Sequence, residues 1–176
     1  ARWRDDLAPG SVLVSLMKGI ESGTTLRMSD IGYRNRNQAA VDISVNSLDE
    51  YVRDLRRATD TPFPEYDKIG VLVDGDYRQL TSNILQIENE YYAFIRPKRV
   101  ARSGERPTKA LLRGGVEYVE VRSLDVDAFD PVGVEEGTLR FLEAFMAFCL
   151  MRESPLIDVA EQGVIDGNHV TVARRG

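Results

Sequence analysis

The apolar residues between positions 47 and 59 recur at intervals of three and four, which is the spacing of one face of an α-helix. Ser47, followed three residues later by Glu50, forms a capping box that predicts where the helix begins. Pro62 and Pro64 prevent it from continuing. The predicted apolar face consists of Leu48, Tyr51, Val52 and Leu55, and the opposite face carries Asp49, Arg53 and Arg57.

A second helical pattern covers residues 135–152, and a shorter helix is predicted from Pro107 to Arg113, where Gly114 follows. The longer helix has one predicted apolar stripe, formed by Leu139, Leu142, Phe145, Met146 and Cys149. A cysteine in such a stripe is expected to be buried and to behave as a small hydrophobic residue.

Alternating apolar runs and turn residues predict β-strands in the remaining segments. Asp74 and Gly75 predict a hairpin turn, because glycine accepts a positive φ without steric cost. The predicted strands cover residues 24–29, 69–73, 77–80, 84–96 and 116–124, and a basic loop is predicted at 97–104. Antiparallel strands with helices between them favour an α+β fold, with helices packed on one face of an antiparallel sheet.

Composition narrows the chemistry that is open to this chain. Its 176 residues, 43% apolar and 29% charged, are typical of a globular domain with a hydrophobic core. The single Cys149 excludes an internal disulfide, and the single His169 excludes a histidine-rich metal site. The apolar stretch at 141–151 is about half the ~20 residues that a membrane span needs. We therefore expect a cytoplasmic protein with no membrane span, whose chemistry depends on carboxylates, arginines and tyrosines.

Two charged residues of the predicted strand 116–124 project from the same face. Side chains alternate along a strand, so Glu120 and Arg122 lie about 7 Å apart, on the side that also carries Tyr118. One interpretation is a metal-binding carboxylate beside a cation that stabilises a charged transition state. The other is an ion-pair ladder on a solvated sheet face, and the pattern alone favours the ladder.

Glu88 and Glu90 give the predicted strand 84–96 a similar acidic character. Two adjacent acidic strands would form a cleft suited to Mg²⁺, which is usually held by one or two carboxylates together with phosphates and water. Exposure to solvent explains these two carboxylates equally well.

Positive charge is concentrated between residues 96 and 113, in a chain whose net charge is -5. Nucleic acid, nucleotide phosphates and simple solubility are the three explanations, and nucleic acid is the weakest because no aromatic residues are interleaved for base stacking. Composition does not decide between the other two, and neither glycine-rich nucleotide-binding loop motif is present. The basic residues are Arg96, Lys98, Arg99, Arg102, Arg106, Lys109 and Arg113.

Several long segments, in order, resemble the proteobacterial glutamate-cysteine ligase family. They are LRMSDIGY at 26–33, NILQIENEYYAFIRPKRVARSGE at 83–105, LLRGGVEYVEVRSLDVDAFDPVG at 111–133 and RFLEAF at 140–145. Residues 1–23 show no clean period and are interpreted as a poorly specified lead-in. The resemblance implies part of the catalytic domain at 24–155 and the start of a truncated helical region at 156–176. It also implies an α+β fold around an antiparallel sheet related to glutamine synthetase.

The activity that this resemblance implies is the first step of glutathione biosynthesis. ATP phosphorylates the γ-carboxylate of glutamate, and the amine of cysteine then displaces phosphate, with Mg²⁺ neutralising charge. Glu120 matches a metal ligand of the family, and Arg122 matches the arginine that faces the transferred phosphoryl group. Arg27, Tyr33 and Tyr92 match positions that line the amino-acid substrate pocket. These matches favour the functional interpretation of Glu120 and Arg122 over the ion-pair ladder.

Family members are far longer than this chain, and by resemblance their other acidic metal ligands and one histidine lie on strands N-terminal to this segment. The residues SVLVSLMKGIESG at 11–23 depart from the family pattern. We therefore expect the missing N-terminal half, in cis or in trans, to complete the site, and the 176-residue chain alone not to make γ-glutamylcysteine. The alternative is a non-catalytic binding or structural module that retains the substrate pocket.

Overall fold

The computed structural model describes residues 41–175, apart from the side chains of residue 170 and of 173–175. Contacts divide the chain into two compact units, and we call their described parts the first unit (41–122) and the second unit (123–175). The predicted strand at 24–29 lies outside the described residues. The predicted domain boundary between residues 155 and 156 stays a prediction.

The first unit begins with helix α1, Leu48–Asp60, which confirms the helix predicted at 47–59. The hydroxyl of Ser47 accepts a hydrogen bond from the amide of Glu50 at 3.2 Å, so the N-cap is formed as predicted. The carboxylate of Glu50 accepts a hydrogen bond from the hydroxyl of Ser44. The N-terminus of α1 is thereby tied to the residues that precede it.

A short helix and a hairpin follow α1. Helix α2 runs over Pro64–Ile69 and was not predicted, although proline is well suited to the first helical position, where its missing N–H is not needed. Strands β1, Leu72–Val73, and β2, Asp76–Tyr77, pair antiparallel and confirm the hairpin with shorter strands than predicted. Asp74 and Gly75 at its turn both have positive φ, 54° and 88°.

The predicted strand at 84–96 is wrong for most of its length. The amides of Ile84 and Leu85 donate to the carbonyls of Thr61 and Ala58 at the end of α1, so they are not available to a sheet. Leu85 and Glu88 are both buried, a spacing of three that strand alternation does not allow. The segment instead forms a 3₁₀ helix at Glu88–Glu90, and a strand begins only at Ile95.

Strands β3, Ile95–Lys98, and β4, Tyr118–Val121, form the second antiparallel pair. Strand β4 confirms the middle of the strand predicted at 116–124, whereas the loop predicted at 97–104 begins later because Pro97 and Lys98 belong to β3. The described residues therefore contain two small antiparallel sheets and several helices, which confirms the α+β class.

Helix α3, Pro107–Gly114, confirms the predicted short helix and closes the core of the first unit. Leu111 of α3 is buried in the cluster that α1 also supplies. Gly115 ends the helix with a φ of 74° and an amide that donates to the carbonyl of Leu111. The buried cluster comprises Ile43, Tyr51, Val52, Leu55, Ala58, Leu85 and Leu111.

The second unit contains helix α4, Glu136–Met151, and helix α5, Val159–Arg175. Helix α4 confirms the helix predicted at 135–152, but none of its residues is buried. Cys149 is exposed, so the prediction of a buried thiol is wrong. Apolar residues surround α4 on all sides, and Phe141, Phe148 and Leu150, outside the predicted stripe, are exposed as well. No helix in the described residues is both long and apolar enough to cross a bilayer.

Candidate functional site

The pairing of β3 with β4 collects charged residues on one face of the small sheet. Arg96 lies opposite Glu120, and Lys98 lies opposite Tyr118. The amide of Arg122 donates to the carbonyl of Phe94 at 2.7 Å, which extends the pairing by one position. Because side chains alternate along each strand, these residues share one side, which we call the β3–β4 face.

Glu120 lies at the centre of this face with its side chain 20% exposed. Its Oε2 atom is buried and makes no hydrogen bond to any residue between 41 and 175. Within residues 41–175, Glu120 forms an ion pair with the Nζ atom of Lys98 at 3.5 Å, longer than the about 2.7–2.9 Å of a charge-assisted hydrogen bond. A buried carboxylate oxygen without a hydrogen-bond donor is well suited to a metal ion, because carboxylates are preferred ligands of Mg²⁺.

Arg122 and Tyr92, two residues singled out in the sequence, are in contact. The guanidinium carbon of Arg122 lies 4.9 Å from the centre of the Tyr92 ring, which is a cation–π arrangement. The Tyr92 ring in turn packs edge-on against Phe94, with ring centres 6.2 Å apart. This stack holds the Arg122 guanidinium on the same side of the sheet as Glu120.

Arg96 is the buried residue of this face, and its role in the site was not predicted from the sequence. Its Nη2 atom donates to the carbonyl of Glu88 at 3.3 Å, while its Nε atom has no hydrogen-bond partner within residues 41–175. Burial raises the pKa of the Tyr51 phenol, and the Arg96 charge and hydrogen bond act against that increase. Arg96 therefore links β3 to α1 and to the 3₁₀ helix, next to Glu120 on the neighbouring strand.

Lys98 was also missed, since the sequence showed it only as one charge within a basic stretch. Its side chain is 22% exposed. Burial lowers the pKa of the Lys98 ammonium, and the positive charges of Arg96 and Arg122 lower it further, whereas Glu120 raises it. The antiparallel register of β3 against β4 is what places Lys98 beside Glu120, and the sequence did not specify that register.

The predicted acidic cleft of Glu88 and Glu90 is not formed by neighbouring strands. The Glu88 carboxylate is buried and accepts two hydrogen bonds from Thr108, from the amide at 2.9 Å and from the hydroxyl at 2.6 Å. It therefore fixes the first turn of α3, where a negative charge is favourable. Glu90 accepts a hydrogen bond from the amide of Gln86 at 2.7 Å. Both carboxylates therefore accept hydrogen bonds from other residues of the first unit.

Part of the basic stretch is likewise structural. Arg99 donates from Nε and Nη2 to the carbonyls of Gly115 and Gly114, which satisfies the C-terminus of α3. Arg113 pairs with Glu105 through Nε at 2.9 Å.

A cavity of about 380 Å³ lies elsewhere in the first unit. Its lining includes Asn83, Gln86 and Arg106 but neither Glu120 nor Arg122. Sequence reasoning did not anticipate it. It is separate from the residues that the resemblance identified.

Arg27 and Tyr33 lie outside the described residues, so the structure brings together Glu120, Arg122 and Tyr92 from the predicted set. Between residues 41 and 175, no three His, Cys, Asp or Glu side chains are grouped so that they could hold a metal ion.

Comparison with known proteins identifies the family of this segment. The sequence model of the glutamate-cysteine ligase family matches residues 14–172. A glutamate–cysteine ligase of Hahella chejuensis is 52% identical over 158 residues, which are 90% of this chain and 30% of the relative. One from Shewanella oneidensis is 52% identical over 153 residues, 87% of this chain and 29% of the relative.

A solved structure shows the same fold. The glutamate–cysteine ligase of Francisella tularensis, crystallised in complex with AMP, matches with a TM-score of 0.75 and 44% sequence identity. The match covers 80% of this chain and 28% of that one. The chain thus spans about 30% of the length of the relatives it matches.

Proposed function

Because the chain belongs to the glutamate-cysteine ligase family, we propose that it forms part of the active site of an ATP-dependent ligase. The reaction joins the γ-carboxylate of glutamate to the amine of cysteine, the first step of glutathione biosynthesis. The observation that carries this proposal is the β3–β4 face, where the buried Oε2 atom of Glu120 has no hydrogen bond in the described structure and Arg122 lies two residues away. A carboxylate beside a fixed guanidinium suits transfer of a phosphoryl group.

Glu120 is the residue of this chain that we propose as a ligand for Mg²⁺. When bound, the metal neutralises charge on the phosphate oxygens and so lowers the barrier to attack by an anion. By resemblance, the remaining metal ligands come from strands outside this segment, in the same chain or in a partner chain.

Arg122 is proposed to stabilise the phosphoryl group during transfer. An oxygen of the glutamate γ-carboxylate attacks the terminal phosphorus of ATP, the bond to ADP breaks, and an acyl phosphate forms. The amine of cysteine then attacks the acyl carbon, phosphate leaves, and the amine loses a proton. The guanidinium carries its positive charge throughout, and the Tyr92 ring keeps it in place at 4.9 Å.

Arg27, Tyr33 and Tyr92 are proposed to line the pocket for the amino-acid substrates, as their family positions imply. An arginine fork suits a substrate carboxylate, and a phenol supplies a hydrogen bond and a flat apolar wall. The relative from Francisella tularensis is in complex with AMP, which supports ATP as the nucleotide. The cytoplasm, where ATP and Mg²⁺ are available, is the proposed location.

The experiment compares the 176-residue chain with a hybrid ligase, in which residues 14–172 replace the matching segment of the Hahella chejuensis relative. Each is supplied with ATP, Mg²⁺, glutamate and cysteine, and release of phosphate and formation of γ-glutamylcysteine are measured. We expect activity from the hybrid and none from the chain alone, because the proposed metal ligands are divided between the two parts.

Phosphate release by the chain alone that depends on both amino acids would contradict the proposed division of the site. A hybrid that folds and binds glutamate but does not form the product would instead support the alternative, a non-catalytic module.

A further inference from the structure

The β3–β4 face carries a surplus of positive charge. Arg96, Lys98 and Arg122 surround one carboxylate, Glu120, in a chain whose net charge is -5. Like charges held close together repel, and partial burial strengthens that repulsion because water screens it less. Binding of an anion would relieve this repulsion and stabilise the face.

Two of the three cations already have partners that fix them. Arg96 is buried and donates to the carbonyl of Glu88, and Arg122 lies over the Tyr92 ring. Among the residues that the structure describes, Lys98 forms one ion pair, with Glu120 at 3.5 Å. An ammonium has three N–H donors, so a pair at that distance leaves capacity for hydrogen bonds to a ligand.

The register also fixes the order of these charges. Lys98 is level with Tyr118, Arg96 is level with Glu120, and Arg122 lies beyond Glu120. The levels of Lys98 and Arg122 are therefore about 13 Å apart along the strands, at ~3.3 Å per residue. Cations on both sides of the Glu120 carboxylate suit a ligand with several anionic groups in a row better than a ligand with one carboxylate.

We propose that Lys98, whose ammonium lies 3.5 Å from the Glu120 carboxylate, binds phosphate oxygens of the nucleoside triphosphate beyond the α-phosphate, on the side of Glu120 away from Arg122. The inference rests on the proposed function, since it assigns a residue to the nucleotide of that same site. A compact ammonium on a flexible stem is a common phosphate ligand. The competing role for Lys98 is to neutralise Glu120 when no metal is bound.

The two roles predict opposite results for the Lys98→Met hybrid ligase. If Lys98 binds phosphate, ATP binds about 10- to 100-fold more weakly, which is the scale of one charge-assisted hydrogen bond. Binding of AMP, which lacks the outer phosphates, then changes less than about twofold. If Lys98 only neutralises Glu120, its removal tightens Mg²⁺ binding and leaves ATP affinity unchanged.

Dissociation constants for ATP, AMP and Mg²⁺ are measured by calorimetry, which does not require turnover. Lys98→Arg keeps the charge and should restore most of the ATP affinity, whereas Lys109→Met, at an exposed position of α3, is the matched control that should leave it unchanged. Thermal unfolding of each variant shows whether it is folded.

A Lys98→Met variant that is folded and binds ATP as the parent does would overturn the inference while leaving the ligase activity of the parent intact. Equal weakening of ATP and AMP would also overturn it, because the outer phosphates would then not be involved. A folded parent hybrid that binds no ATP would overturn both this inference and the proposed function.

Discussion

The two units of this chain both contain well-formed helices, but they bury their apolar residues very differently. All the buried hydrophobic residues in the described structure lie in the first unit, where Leu55 is 2% exposed. In the second unit, Phe129 is 98% exposed and Leu150 is 87% exposed. A helical pattern in the sequence therefore predicts a helix, but it does not predict that the helix has a core to pack against.

The difference originates in how the apolar residues are distributed around each helix. In α1 they occupy one side, and charged residues such as Asp49 and Arg53 occupy the other. In α4 they lie on every side, and Phe141 stacks on Phe145 with ring centres 5.8 Å apart. A helix that is apolar on all sides is typical of one buried in a larger protein. This accords with a chain that spans about 30% of its relatives.

The largest difference is expected for matched leucine truncations in the 176-residue chain. Leu55→Ala should lower the free energy of unfolding by about 2–5 kcal/mol, because it leaves a cavity in the packed core. Leu150→Ala should change it by less than about 0.5 kcal/mol, because the side chain is exposed. Urea unfolding measures both. Similar losses at the two positions would show that α4 has a packed core of its own.

A catalytic comparison between the two units should give the next largest effect. In the hybrid ligase, Arg122→Ala should lower turnover by ~10²- to 10³-fold, the scale for losing one partner of transition-state charge. Arg140→Ala in α4 removes an exposed arginine paired with Glu136 and should leave turnover unchanged.

Glu120→Gln in the same enzyme should raise the concentration of Mg²⁺ needed for half-maximal activity, because it removes a negative charge from the proposed metal ligand. Steady-state rates at varied Mg²⁺ measure this effect. Wild-type turnover and Mg²⁺ dependence in the Arg122 and Glu120 variants would contradict the roles proposed for them.

The buried carboxylate of the first unit gives a smaller effect, on stability. Glu88→Gln should lower the free energy of unfolding by about 1–3 kcal/mol. The neutral amide has one acceptor oxygen in place of two, so it cannot accept both hydrogen bonds from Thr108. Glu136→Gln, at an exposed position of the second unit, is the matched control and should cost less than about 0.5 kcal/mol. Amide hydrogen exchange in the first turn of α3 should increase only in the Glu88 variant.

The smallest expected effect depends on pH. Hydrogen bonds from Arg113, then from the Arg102 amide, lower the pKa of Glu105 from 4.5 to about 2. Since the folded pKa lies below the unfolded one, the stabilisation is present above pH 4.5 and is lost as pH falls towards 2. Glu105→Gln should therefore destabilise the chain at pH 7 and have progressively less effect below pH 4.5.

Thermal unfolding at a series of pH values tests this, with Glu153→Gln in the second unit as the exposed control. A constant difference between the parent and Glu105→Gln over the whole range would mean that the pair with Arg113 contributes nothing.

The features that depend on residues close together in the chain could be predicted from the sequence. The N-cap at Ser47 was predicted because its hydroxyl binds the backbone of the next helical turn. The turn at Asp74 and Gly75 was predicted because glycine, which has no side chain, accepts a positive φ. Strand alternation placed Glu120 and Arg122 on one side, and the order of motifs identified the family.

The hydrogen-bond and ion-pair partners of other residues depend on contacts between distant parts of the chain, which the sequence pattern did not predict. The amides of Ile84 and Leu85 bind the end of α1, more than twenty residues earlier, so a segment with strand character forms a 3₁₀ helix instead. The neighbours of Glu120 depend on the register of β3 against β4, which brings Lys98 to 3.5 Å. Such contacts join residues far apart in sequence, and their free energies depend on burial and charge that no local pattern specifies.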